Sequence, residues 1–207
     1  MAEFNQILRT RRSIRRYTRQ PVARDVIDQL LEAAGWAPSF HHRQPWRWAV
    51  VTAPETKARL AGAMGERLRH DRLAAGETPE AVAPALARSY ARLTAAPALI
   101  VACSSLAGGE ALPDTPAEQA QERHMERLMA AQSVAAAIQN LLLAAQAAGL
   151  GACWVCAPLY CPEVVRQALD LPQDWEAQAL ITLGYAAEAE ATAPAPRRPW
   201  AETVVYR

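Results

Sequence analysis

Apolar residues at helical spacing predict most of the secondary structure of the chain. Ile7 and Leu8 follow Phe4 by three and four positions, which is typical of a short amphipathic helix. A second helix is expected to have Pro21 in its first turn and to end at Gly35, because proline suits the first helical position and glycine ends helices. Further helical patterns span residues 55–72, 118–148 and 162–169, and an interrupted one spans 74–94.

Runs of β-branched, aromatic and small apolar residues predict four strands, at 46–52, 98–103, 150–155 and 177–185. The last residues, 204–206, are also strand-like. Segment 104–118 is rich in Gly, Pro, Asp and Ser, which indicates a loop and a candidate cover for a site. Four or five strands among long helices indicate an α+β fold, with one domain over residues 1–207.

The helix predicted at 118–148 is almost wholly small and apolar in its second half. A helix that is apolar all round must be buried on all sides, and packing against the same helix of a second copy is one way to achieve this. Residues 134–150 include three polar side chains and fall just short of the roughly 18 apolar residues that a membrane span needs. We therefore expect a buried helix in a cytoplasmic protein, ended by Gly149 in the left-handed conformation.

Composition and charge narrow the classes of protein. The chain is 51% hydrophobic and 21% charged, as is usual for a soluble globular protein. A net charge of +1 and a pI of 7.7 argue against nucleic-acid binding, which usually requires a broad basic surface. The first sixteen residues are polar and charged, so neither a signal peptide nor a disulfide framework is expected. Cys153 and Cys156 lack the second pair of a zinc site; we interpret them as small buried residues beside Trp154 and expect no metal.

Arginines are concentrated near the N-terminus. Six arginines, Ser13 and two threonines lie between Arg9 and Arg19. Guanidinium groups bind phosphate through paired charge-assisted hydrogen bonds, so this run is a candidate phosphate site, although a solvated charged surface is the commoner role of such a run. The only lysine, Lys57, follows no glycine-rich loop, and no Gly-x-Gly-x-x-Gly occurs, which argues against the two common nucleotide-binding loops.

Five motifs, in order along the chain, resemble those of nitroreductase-like flavoproteins. The motifs are the run Arg11–Tyr17, the segment Ala37–Trp46 with its Ala-Pro-Ser and Gln-Pro-Trp, the run Gly149–Trp154, the strand end Leu183–Ala186, and Arg197–Trp200. The resemblance covers nearly the entire chain. It implies an α+β fold with a central, mostly antiparallel sheet of four to five strands. It also implies an intertwined homodimer with two equivalent FMN sites between the subunits.

The resemblance assigns the cofactor to four segments. It implies that the segment with Arg11, Arg12, Ser13 and Arg15 contacts the phosphate, the ribityl chain and the pyrimidine edge. It also implies that segment 38–42 comes from the partner subunit. The backbone of residues 153–155 is implied to approach the reactive side of the ring, although core packing is the alternative role of Trp154. Arg197 or Arg198 is implied to close on the phosphate. The implied residues are Arg11, Arg12, Ser13 and Arg15; Pro38, Ser39, Phe40 and His42; Cys153, Trp154 and Val155; and Arg197 with Arg198.

His42 departs from the family pattern, since many members have asparagine there, so the hydrogen bond expected from this position to the ring edge is open. His41 and His42 are interpreted either as surface residues or as proton donors, a role that suits the neutral-range pKa of histidine. Four further runs resemble one branch, the reductase domain fused to the ligase that matures the deazaflavin coenzyme of actinobacteria. They are His41–His42, Cys153–Val155, Cys161–Pro162 and Leu171–Glu176.

The implied activity is that of an FMN-dependent oxidoreductase that takes hydride from NADH or NADPH and passes it through flavin N5 to a nitroaromatic, a quinone or an activated double bond. Such chemistry needs orientation and charge, with Arg15 near N1 and O2, rather than a catalytic side chain. One alternative is reduction of a dehydro-deazaflavin precursor, with FMN or the reduced deazaflavin as hydride source. Another is a non-catalytic flavin-binding or storage protein, and RNA binding by the basic loop is a weaker third.

Overall fold

A computed structural model describes residues 2–106, 116–187 and 196–207. Its centre is an antiparallel sheet with the strand order β1-β2-β4-β3. β1 spans Trp46–Val51, β2 spans Ala98–Ser105, β3 spans Gly151–Val155 and β4 spans Trp175–Gly184. Every residue of β2 is buried, as its continuous apolar run predicts for a central strand. The expectation of an α+β fold with an antiparallel sheet is confirmed.

The described helices are α1 (Ala2–Thr10), α2 (Arg24–Gly35), α3 (Pro54–Ala74), α4 (Pro79–Ala95), α5 (Pro116–Ala147) and α6 (Pro162–Ala168). The prediction that Pro21 lies in the first turn of α2 is wrong, because the helix begins three residues later. Ala23 is still extended, with ψ of 147°, and Val22 is already buried. The chain thus enters the core in an extended conformation before the helix starts.

Two hydrophobic clusters cover the two faces of the sheet. Ala98, Ile100 and Ala102 of β2 belong to one cluster, together with residues of α2 and α5. The intervening residues Leu99 and Val101 belong to the other, together with residues of α3, α4 and α6. This alternation follows from the two-residue period of a strand. The sheet is therefore covered by helices on both sides.

The only lysine of the chain stabilises the end of α4. Lys57 is buried, and its Nζ donates a hydrogen bond to the carbonyl oxygen of Ala96 at 2.7 Å, just beyond the helix. A positive charge at a helix C-terminus is favourable, although burial lowers the pKa of this amine. At the other end, the hydroxyl of Thr78 accepts a hydrogen bond from the N–H of Ala81. Pro84 lies inside α4 without ending it, so the predicted interruption is limited to the turn before Thr78.

The long helix α5 lies against the sheet. Val134, Ile138, Leu141 and Ala145 on one face are buried in the same cluster as β2, so the expected burial is confirmed for that face. By length and composition alone, residues 119–147 form the one helix in the described part of the chain that is long and apolar enough to cross a membrane. Gly149 follows the helix with φ of +74°, as predicted.

Both ends of the loop predicted at 104–118 are wrong. Ser104 and Ser105 continue β2, and residues 116–118 already belong to α5. The sequence pattern did not predict the end of β2 because Ser104 and Ser105 are polar. Their hydroxyl groups are buried and hydrogen-bonded to other side chains. The Oγ of Ser105 donates to Asp174 Oδ2 at 2.5 Å, and the Oγ of Ser104 accepts from Gln178 Nε2 at 3.1 Å. Residues 107–115 of the predicted loop lie outside the described residues.

Candidate functional site

The N-terminal arginine run lies along the edge strand β3. Ser13 forms an isolated parallel bridge with Ala152, and the N–H of Ile14 donates to the carbonyl oxygen of Ala152 at 3.0 Å. Gly151 allows this approach, because a Cβ atom at that position would lie only 2.7 Å from the Cβ of Ile14. The sheet thus fixes the backbone on which Arg11 and its neighbours are carried.

The far end of the run is fixed by Tyr17. This residue forms an antiparallel bridge with Ala186. Its hydroxyl lies 2.5 Å from the carbonyl oxygen of Ile14, 3.0 Å from that of Thr182 and 2.7 Å from Thr182 Oγ1. Segment Ser13–Tyr17 is therefore held at both of its ends.

Arg11, Arg12 and Arg197 form a cluster of positive charge beside β3. Burial lowers the pKa of the Arg11 guanidinium, the charges of Arg197 and Arg12 lower it further, and Cys153 acts in the opposite direction. The effect of Arg197 on Arg11 shows that the two ends of the chain lie near each other. Among the described residues, no carboxylate pairs with any of the three arginines. Like charges that repel one another without a counter-ion favour binding of an anion.

Arg12 of this cluster, and the predicted arginines Arg15 and Arg198 outside it, differ in exposure. Arg12 Nη1 donates to two backbone carbonyl oxygens of its own segment at 2.7 and 2.9 Å. Arg15 is exposed, and its Nη1 donates to the carbonyl oxygen of Ser13 at 3.1 Å. Arg198 follows Arg197 and is also exposed. Arg11 and Arg12 are half-buried, whereas Arg15, Arg197 and Arg198 are exposed.

The third predicted segment is part of β3. Cys153 is buried, and Trp154 and Val155 are half-buried. The indole Nε1 of Trp154 is buried without a hydrogen-bond partner, at a cost of about 1–3 kcal/mol for such a donor. The interpretation of Cys156 as a buried residue is wrong. Cys156 is exposed, because the chain leaves the sheet there and starts the 3-10 helix Ala157–Tyr160.

The second predicted segment lies elsewhere, against α5. Pro38 and His42 are exposed, whereas Ser39 and Phe40 are half-buried. The backbone N–H of Phe40 donates to Ser133 Oγ of α5 at 3.2 Å. The next residue of the segment after the histidines, Arg43, pairs with Glu126 of the same helix at 2.9 Å. These contacts hold the segment near the first half of α5.

The two halves of the predicted site lie far apart along α5 within one chain. Gln146 Nε2 lies 3.5 Å from the Oγ1 of Thr10, the neighbour of Arg11. Ser133 and Glu126, which hold segment 38–43, precede Gln146 by 13 and 20 residues. At 1.5 Å per residue these separations are about 20 and 30 Å of helix. Segment 38–43 therefore does not face the arginine cluster of its own chain.

Two features of the site were missed by the sequence interpretation. Glu126 stands in the polar half of a long helix, and its pairing with a residue 83 positions away has no local signal. The contact of Gly151 with Ile14 was detectable only as a glycine opening a predicted strand. Within the part of the chain that the structure describes, no group of three His, Cys, Asp or Glu residues is arranged to hold a metal ion.

Comparisons with known proteins identify the family. The model described as "Nitroreductase family" matches residues 8–185. The chain is 34% identical over 213 residues to a protein named NADH dehydrogenase from Thermus thermophilus, with coverage of 95% of this chain and 92% of that protein. It is 30% identical over 193 residues to 5,6-dimethylbenzimidazole synthase from Rhodospirillum rubrum, with coverage of 89% and 82%.

A solved structure agrees with this assignment. The crystal structure of a nitroreductase-type protein from Desulfovibrio desulfuricans, in complex with FMN, superposes with a TM-score of 0.69 at 25% identity, covering 99% of this chain and 96% of that one. The resemblance of the five motifs is thus confirmed over nearly the whole length. The chain belongs to the nitroreductase family of flavin-dependent oxidoreductases.

Proposed function

We propose that the protein binds FMN and uses it to reduce a small organic acceptor with electrons from NADH or NADPH. The observation that carries this proposal is the cluster of Arg11, Arg12 and Arg197, for which the described residues provide no carboxylate. The cofactor ends in a phosphate group, for which guanidinium groups are the best-suited protein ligands. The FMN complex of a relative and the NADH in the name of another support the cofactor and the reductant.

The arginines divide between the two ends of the cofactor. Arg11, Arg12 and Arg197 hold the phosphate, with Arg198 beside them, and Ser13 lies next to the ribityl chain. Arg15 provides positive charge at the pyrimidine edge. When bound, FMN supplies the redox chemistry, because its N5 atom accepts hydride from a reduced nicotinamide and delivers it to the acceptor.

The residues of β3 orient the reactive side of the ring. The backbone of Cys153 and Val155 lies along that side in our assignment, and the bulky indole of Trp154 excludes water. His42 takes the place of the asparagine expected from the family.

We assign the second half of each site to a second copy of the chain. One chain separates segment 38–43 from its arginine cluster by about 20 to 30 Å of α5. Two α5 helices packed antiparallel bring the first half of one beside the second half of the other. Segment 38–42 of each copy then lies next to the arginine cluster of its partner, and Pro38, Ser39, Phe40 and His42 complete that site.

The C-terminal tail supports the same assembly. Trp200–Thr203 form a 3-10 helix, so the strand-like tail begins only at Val204, which is extended. Trp200, Val205 and Tyr206 are 68%, 77% and 82% exposed, which is costly for apolar side chains. In the described part of the chain, β1 pairs only with β2 and leaves its other edge open. An open edge and an extended apolar segment readily pair, so we propose that the tail packs on a partner.

The direct experiment uses the purified protein. We expect a yellow protein with a flavin absorption band that NADH or NADPH bleaches and menadione restores. Acid release followed by mass spectrometry should identify FMN. A colourless protein that takes up no added FMN would contradict the proposal. A flavin band that neither nicotinamide bleaches would instead favour a deazaflavin-linked reductase or a flavin-storage protein.

A second candidate activity follows from the relative in Rhodospirillum rubrum, which is named for the synthesis of 5,6-dimethylbenzimidazole and covers 89% of this chain. The isoalloxazine ring of FMN contains the same dimethylbenzene unit as that product. Incubation with FMN and NADPH in air, followed by a mass assay for 5,6-dimethylbenzimidazole, separates the two candidates. We expect the protein to reduce the acceptor and to form no 5,6-dimethylbenzimidazole.

A further inference from the structure

Segment 39–44 has an unusual backbone. His41, His42 and Gln44 have φ angles of +45°, +55° and +48°, in the left-handed region that residues with side chains seldom adopt. Each such residue costs roughly 1–2 kcal/mol. Strain of this kind persists only where the surroundings hold it in place. The contacts that hold this segment therefore decide its shape.

Hydroxyl groups provide part of the support. Ser133 Oγ on α5 accepts a hydrogen bond from the N–H of Phe40 at 3.2 Å and donates to the carbonyl oxygen of Met129 at 2.8 Å. Ser39 Oγ accepts from the N–H of Gln44 at 3.0 Å. Phe40, near the start of the segment, is thus hydrogen-bonded to α5. Gln44, at the end of the segment, is hydrogen-bonded to Ser39 at its start.

The ion pair between Arg43 and Glu126 is a shielded anchor of the segment. Its side chains are 21% and 12% exposed, whereas those of the Arg67–Asp71 pair on α3 are 41% and 42% exposed. Breaking a buried pair is costly because it leaves an uncompensated buried charge. The Arg43 guanidinium also lies 5.4 Å from the centre of the Phe40 ring, within range of a cation–π interaction. Glu126 therefore reaches Phe40 through Arg43.

We propose that Glu126 is a positioning residue for the cofactor site: through Arg43 it holds the strained segment in the shape that meets FMN on the partner subunit. This role rests on the proposed function, in which segment 38–42 of one copy completes the site of the other. Glu126 acts only through Arg43 in this assignment. Its charge matters because it orients the guanidinium over Phe40 and keeps the following backbone in the left-handed region.

Glu126→Gln tests the role, because it removes the charge and keeps the shape of the side chain. The first readout is amide hydrogen exchange in FMN-free protein. The N–H groups of His42 and Arg43 donate to the carbonyl oxygens of Ser39 and Phe40 at 3.1 and 3.0 Å, and we expect their exchange to become about tenfold faster, the effect of roughly 1.4 kcal/mol of lost local stability.

The second readout is the dissociation constant for FMN, measured well below the unfolding temperature so that a loss of global stability alone does not affect it. We expect it to rise about tenfold, with a changed visible circular dichroism of the bound flavin. Arg43→Lys is a milder second variant, which keeps the charge but not the flat guanidinium over Phe40. Arg43→Lys should raise the amide exchange rates and the dissociation constant for FMN to a smaller extent. It replaces Glu126→Gln as the test if that variant does not fold.

Asp71→Asn is the matched control, because it breaks an exposed ion pair on α3; it should alter neither readout. Unchanged exchange in the Glu126 and Arg43 variants would overturn the positioning role. Faster exchange with unchanged FMN affinity would also overturn it, while leaving the arginine site intact. Wild-type protein that binds no FMN would overturn the proposed function, and this role with it.

Discussion

Gly151→Ala should displace the arginine run from the sheet. The new Cβ would lie 2.7 Å from both the Cβ and the Cγ2 of Ile14, whereas carbon atoms at ordinary contact are about 3.5–4.0 Å apart. The Ile14 Cβ is bonded to the backbone, so the backbone itself must move by about 1 Å. The hydrogen bond from the Ile14 N–H to Ala152, now 3.0 Å, would then lengthen beyond its normal range.

The expected cost is about 1–3 kcal/mol for overpacking, with roughly 1 kcal/mol more for the weakened hydrogen bond. Urea unfolding should show this loss in the free energy of unfolding, and FMN titration should show weaker binding, because Arg11 and Ser13 move with Ile14. Gly62→Ala is the matched control. Its Cβ would meet nothing within 4 Å, and in the interior of α3 it should stabilise the protein by roughly 0.5–1 kcal/mol. Equal effects of the two substitutions would refute the close contact at Gly151.

Three further predictions concern the charges and the assembly. Arg11→Ala should raise the dissociation constant for FMN roughly ten- to hundredfold, as the loss of a charged hydrogen bond of about 1.5–3 kcal/mol implies. The FMN-free protein should be no less stable, because burial and neighbouring arginines already disfavour the charge of Arg11. As the control, Arg24→Ala, at a side chain 95% exposed, should change neither the dissociation constant nor the stability. Burial raises the pKa of Cys103 from 9.0 to about 12, so between these values the unfolded thiol loses its proton while the folded one keeps it. The free energy of unfolding should therefore fall with rising pH by up to about 1.4 kcal/mol per unit more steeply than in Cys103→Ala, and parallel pH profiles of the two proteins would contradict this. Mixed dimers refolded from Arg11→Ala and Glu126→Gln chains should regain some tight FMN sites that neither parent protein has. One site of each mixed dimer would carry both substitutions and the other site would carry none. If no tight sites were recovered, the site would not be shared between subunits.

The elements of the fold were predictable because their signals are local. The apolar run of β2 and the periodic face of α5 depend on neighbours in sequence, and both were found. The end of β2 was missed because Ser104 and Ser105 are polar. Their hydroxyls are paired with side chains of Gln178 and Asp174, 74 and 69 positions away, and no pattern near the serines announces those partners.

The candidate site was predictable where chemistry alone selects the residue type. The N-terminal arginine run predicted a phosphate site by its chemistry, whereas the role of Arg197 was implied only by the resemblance to the family. The charge of Arg197 does act on Arg11. What the sequence did not reveal is the support behind the site. Glu126 acts through a residue 83 positions away, and the start of α2 after Ala23 depends on how Val22 enters the core. Such features are set by tertiary packing rather than by local preference.

The central claim is that guanidinium groups from both ends of the chain bind one phosphate, and a comparison of FMN with riboflavin tests it most directly. The two ligands differ only in that phosphate. Wild-type protein should bind FMN at least tenfold more tightly than riboflavin, about 1.4 kcal/mol or more. Arg197→Ala should weaken binding of FMN and leave that of riboflavin unchanged. Equal weakening of both ligands, or of neither, would contradict the claim.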